Sequence, residues 1–109
     1  MRISQIPFET IDWSSVEAER KFGESGWADW KVRQFGDIRV RMLEYSPGYR
    51  ADHWCAKGHI LFCFEGEMVT QLRDGREFVL RAGSSYHVAD EAEAHRTYTK
   101  DGAKLFIVD

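Results

Sequence analysis

From residue 27 to the end of the chain, apolar and polar side chains alternate with a period near two, the period of a strand and not of a helix. Residues 38–45, IRVRMLEY, are the clearest case: Ile38, Val40 and Met42 fall on one face and Arg39 and Arg41 on the other, the pattern of a half-buried strand. Residues 27–35, WADWKVRQF, predict a strand ending at Gly36-Asp37. SPGY (46–49) predicts a turn. Residues 50–55 (RADHWC) and 59–67 (HILFCFEGE) predict two strand runs joined by a tight loop at Ala56-Lys57-Gly58. Residues 67–83 predict a hairpin around Asp74-Gly75, the strongest short-range hairpin signal in the chain. SSYHVA (84–89) predicts a further strand, and residues 94–109 a final hairpin about Asp101-Gly102.

Turn signals recur about every 8 to 12 residues over this stretch, the spacing of an all-β sandwich or barrel. No long helical pattern separates the strands, which excludes a doubly wound α/β fold. The first 26 residues are less patterned. Residues 10–23 predict one short helix, capped by Asp12 or Ser14 and ended by Gly23, within an arm that covers a sheet edge or reaches a partner subunit. The predicted organisation is therefore an N-terminal arm (1–26) followed by one barrel domain (27–109).

At 109 residues the chain makes one domain, large enough to fold on its own core. Fifteen basic and eighteen acidic residues give a net charge of −3, with no basic cluster, so the electrostatic footprint of nucleic-acid binding is missing. There is no apolar run of about 20 residues to cross a membrane, and the N-terminus lacks the continuous apolar core of a signal peptide. The expected home is the cytoplasm, where Cys55 and Cys63 stay reduced.

The chemistry-bearing residues gather in residues 51–67, ADHWCAKGHILFCFEGE. His53 and Cys55 share strand parity, with Trp54 opposite. A reversal at 56–58 would return His59 opposite Cys55, within about 4.5–5.5 Å at Cβ, close enough for both to reach one ion. His95 is the natural fourth ligand. The bland alternatives are a rim histidine for His53 and a small buried hydrophobe for Cys55. Cys63 and Leu61 continue the inward parity, and Tyr86 and Arg96 lie near the same region as pocket-lining candidates. Arg96 can pair with a carboxylate or be a solvated surface residue.

These residues resemble the cupins, small double-stranded β-helix (jelly-roll) proteins. The family's first motif runs Gly, about five residues, His-x-His, three or four residues, Glu, six residues, Gly. Here Gly48, His53, Cys55, His59 and Gly66 stand at those places, with Cys55 for the second His and His59 for Glu. The second motif is looser: Gly83 is followed by Ala89-Asp90-Glu91 in place of Pro-x-Gly, then His95 one residue late, and Thr99 at the Asn position. DHWC (52–55) has the residues of a subgroup of short cupins named for an Asp-His-Cys-Trp cluster, in a different order.

The resemblance covers roughly residues 35–109 and implies a jelly-roll barrel, a divalent metal within it and a homodimer. It does not fix one reaction. Three imidazoles and one thiolate form a softer set than the family's three His and one Glu, favouring Zn, with Ni, Fe or Cu as alternatives. Neither Asp52 nor Glu65 is well placed as a carboxylate ligand. The expected function is that of a small metal-binding cupin, either a metalloenzyme acting on a small organic molecule or a non-enzymatic ligand-binding or closed-zinc module.

Overall fold

The computed structural model describes residues 2–109. Eight strands follow a single 3-10 turn (Trp13–Ser15): β1 Glu19–Phe22, β2 Trp27–Phe35, β3 Ile38–Tyr45, β4 His59–Leu72, β5 Glu77–Arg81, β6 Ser84–Val88, β7 His95–Tyr98 and β8 Ala103–Val108. All pairings are antiparallel. The predicted N-terminal helix shrinks to that one turn, capped by Asp12 through Ser14 N–H. The residues beyond it become β1, which pairs with β2 and covers the sheet edge.

The architecture turns on β4. Its first half pairs with β8 on one side and β6 on the other, and its second half with β7 and β5. One layer is therefore β1-β2-β3-β8-β4-β6 and the other β5-β4-β7, with β4 running through both. The switch is a bulge between Cys63 and Glu65. It changes which parity faces inward: Leu61 and Cys63 are buried before it, Met68 and Thr70 after it. One extra residue in one strand has this consequence. Gly66, with φ +78°, takes the corner, and a Cβ there would collide with the Gly102 carbonyl oxygen in the connection between β7 and β8. The two layers enclose Leu43, Tyr45, Leu61, Cys63, Met68, Leu80, Leu105 and Ile107.

Three local expectations are corrected. Residues 51–58 are not a strand; only isolated bridges at Arg50 and Cys55 tie this segment to the sheet. β7 and β8 do not form a hairpin. Both run antiparallel to β4, one after the other, and Gly102 (φ +101°) shifts the chain between layers without reversing it. In β3 the buried parity is Arg41, Leu43 and Tyr45, not Ile38, Val40 and Met42. Asp109 makes this possible by accepting from Arg41 Nη2 at 2.8 Å, giving the inward guanidinium an anionic partner.

Candidate metal centre

His59 opens β4 and His95 opens β7, and their rings meet edge to face with centroids 4.8 Å apart. His95 Nδ1 lies 2.8 Å from the Glu93 carbonyl oxygen. A carbonyl only accepts, so Nδ1 carries a proton, and in the neutral ring it is Nε2 that presents the lone pair. That Nε2 is buried and has no partner. His59 Nε2 lies 2.7 Å from the Tyr86 hydroxyl, and its Nδ1 is likewise buried without a partner. Burial first, then the His95 ring and the Arg41 guanidinium, push His59 down to about 4, so it is neutral at pH 7. Burial pushes the Tyr86 phenol up, which keeps it protonated.

Cys55 reaches this pair by a route other than the expected one. Its backbone exchanges both hydrogen bonds with His95, at 2.8 and 2.9 Å. Cys55 thus sits opposite His95, not His59, and the two side chains share a face. The cross-strand partner of His59 is Val88 on β6. Lys57-Gly58 does not reverse the chain; Gly58 N–H donates to Asp90 Oδ1 at 2.7 Å, and its Cα packs against the 88–90 backbone.

His53 lines the same cavity but is not brought to the histidine pair. Its side chain is 74% exposed, and Nδ1 lies 2.6 Å from Asp52 Oδ1. Accordingly, among the described residues no three His, Cys, Asp or Glu side chains stand grouped for a metal ion. The predicted four-ligand set is present around one cavity but not assembled on one point. The reason is the irregular 51–58 segment, in which strand parity does not apply.

The cavity measures about 90 Å³, and Leu61, Tyr86 and Arg96 are among its lining residues. Cys63 is a correction: it is fully buried in the core, its thiol 3.5 Å from the Glu65 carbonyl oxygen, and it does not line the cavity. Arg96 donates Nε to Gln71 Oε1 at 2.9 Å and stacks over Trp54 at 4.5 Å. Tyr86 and His95 also form one wall of a second, largely apolar cavity of about 210 Å³.

The alternation of β3 hid Arg41, which lines the site together with Trp30 of β2. Arg41 Cζ lies 4.6 Å from the Trp30 ring centroid. Burial pulls the Arg41 guanidinium below its ordinary value, opposed by Asp109. Burial raises Asp109, but hydrogen bonds from Arg39 and the charges of both arginines outweigh it and hold the carboxyl below the usual range. The available signal was that Leu43 and Tyr45 share the parity of Arg41.

No protein-family model matches the chain, and no curated protein matches it. Solved structures do. A predicted oxalate decarboxylase from Thermotoga maritima superposes with TM-score 0.78 at 16% identity, covering 92% of this chain and 96% of that one. An RmlC-like cupin from Shewanella frigidimarina gives 0.76 at 18% identity, covering 95% and 91%. Fe(II)-HppE, solved with an alternative substrate, gives 0.75 at 12% identity, covering 94% of this chain and 60% of that one. With the strand order and crossing described above, this likeness identifies the fold: the chain is a double-stranded β-helix, the jelly-roll barrel of the cupins.

Proposed function

We propose that the chain is a small metal-binding cupin acting on a small organic molecule in the cavity between His59, His95 and Cys55. The observation that carries the reading is the pair of orphaned ring nitrogens. His59 Nδ1 and His95 Nε2 are both buried and without partners, on rings 4.8 Å apart. A buried polar atom left unpaired costs about 1–3 kcal/mol, and two together at one cavity mark a place where something is bound. Neutral imidazoles are metal-ligand forms, and His95 already has its far nitrogen fixed by a carbonyl, the usual outer support of a ligating histidine. Cys55 adds sulfur to the same face. His53, exposed at the cavity mouth, is the fourth arm, and its ring is free to turn inward once it leaves Asp52.

Nitrogen and sulfur donors favour Zn over the harder ions, with Ni, Fe or Cu as competitors. A divalent ion held there supplies Lewis-acid or redox chemistry. The protein's own part is to keep the His59 imidazole neutral, to accept its Nε2–H on the Tyr86 hydroxyl oxygen so that Nδ1 presents the lone pair, and to exclude water behind Leu61 and Ile107. The same relation to a non-enzymatic module remains the second reading: a tetrahedral set closed by His53 and Cys55 leaves no open position. We also propose that the working form is a homodimer, joined through the outer face of the larger sheet.

Elemental analysis of the untagged protein tests the metal reading. About one Zn per chain is expected, falling at least tenfold in H95A and in H59A. A chelator-treated protein whose melting temperature does not move when Zn is returned would remove the metal from the site. Cobalt substitution separates the two readings: a spectrum that changes with added small ligands marks an open ion, and an unresponsive thiolate band a closed one.

A further inference from the structure

Arg41 is the least expected residue in the cavity wall. It is 6% exposed, and its Nε has no hydrogen-bond partner. Trp30 Nε1, in the same wall, is also buried and unpaired. Both are obligate donors: a guanidinium and an indole N–H cannot accept. The two orphaned groups therefore call for an acceptor, where the histidines can take a metal. Their neighbourhood sets its charge. Asp109 accepts from Arg39 Nε and Nη2, each at 2.9 Å, and from Arg41 Nη2 at 2.8 Å. One side-chain carboxylate serves these two guanidiniums, and Arg96 adds a further cation to the lining, so the wall is net positive. The cavity lining holds no Asp or Glu side chain to balance it. Arg96 donates its Nε to Gln71 and stacks over Trp54, so Arg41 Nε is the buried guanidinium donor of this wall without a partner.

We propose that this wall binds the carboxylate of a small organic acid, with Arg41 Nε–H and Trp30 Nε1–H as its donors. Two orphaned N–H donors match the two oxygens of a carboxylate, whereas a phosphate would bring further oxygens for which the wall has no orphaned donor. A cavity of about 90 Å³ equals about three waters' share of liquid volume, room for a carboxylate on a short carbon stub. His59 and His95 line the same cavity, so the bound acid lies beside them. This deepens the metal reading by naming a substrate class, but the binding itself needs no metal, so either can fail alone.

Sodium acetate, acetamide and sodium phosphate, titrated into chelator-treated protein, provide the test. The readouts are the Trp30 indole N–H resonance, assigned with W30F, and the Leu43 and His59 backbone amides. Acetate is expected to shift these saturably in the millimolar range, with acetamide at least tenfold weaker and phosphate weaker than acetate. R41M, which leaves Asp109 paired with Arg39, should weaken acetate at least tenfold. W30F should weaken it severalfold with the melting temperature kept, and serves alone should R41M not fold. Equal binding of acetate and acetamide, tighter binding of phosphate, or unchanged acetate affinity in the variants would each overturn the proposal.

Discussion

At the scale of single residues, the site is a contest between burial and partnership. His59 loses solvent, faces His95 and Arg41, and stays neutral down to about pH 4. Its unfolded-state value is about 6.5, so below that pH the unfolded chain binds a proton that the folded chain refuses. Stability is full above pH 6.5 and is lost as pH falls toward 4. After discounting for partial exposure, the loss is on the order of 2 kcal/mol. Urea denaturation of metal-free protein at pH 7, 5.5 and 4 should show it, and H59Q should lack that component. Equal acid sensitivity in the two proteins would mean that His59 is not held neutral by its surroundings. Residue identity and spacing made His59, His95 and Cys55 legible in the sequence. They did not make Arg41 legible, because an Arg between Val40 and Met42 reads as solvent-facing until the Asp109 contact is known. Cys55 was found for the wrong partner, since its pairing with His95 is a contact across 40 residues that no local pattern encodes.

At the scale of elements, glycines mark where the chain changes direction or layer, and sequence alone does not say which. Asp74-Gly75 reverses the chain into β5, as its dipeptide predicts. Asp101-Gly102 has the same signature and a similar positive φ, yet carries the chain onward from β7 to β8. The difference lies in what the flanking strands pair with, and both pair with β4. Likewise β4 runs unbroken through Glu65-Gly66-Glu67, where two strands and a turn would suit composition equally well. G66A tests this crossing. Gly66 has positive φ and its Cβ position is blocked by the Gly102 carbonyl, so the variant should lose about 2–4 kcal/mol. G75A, whose Cβ meets nothing, should lose about 1–2 kcal/mol from backbone strain alone. Similar melting temperatures for the two would show that the Gly66–Gly102 contact is not a constraint.

At the scale of the whole molecule, the larger sheet has one face in the barrel and one turned out. Along β4 the outward residues are Ile60, Phe62 and Phe64, exposed by 48%, 40% and 39%. In register beside them stand Val108 and Phe106 on β8, then Val40 and Met42 on β3. These positions are the even parity of β3, the face expected to be buried from its alternation. That alternation was sound as a sign of an apolar face, and the barrel simply uses the opposite one. A contiguous apolar patch of this kind is uncommon on monomers, and such a face suits an isologous contact with a second copy. Lys104, held between Glu44 at 3.6 Å and Glu65 at 3.2 Å, forms a charged margin at one end of the patch. Sedimentation of the wild type should therefore give twice the 12.7 kDa chain mass at micromolar concentration. F62K should sediment as a monomer and keep its acetate binding, because Phe62 points away from the cavity and the substitution removes only apolar area. A wild type that stays monomeric at 100 μM, with Ile60 and Phe62 amides unchanged on dilution, would show that water alone covers this face.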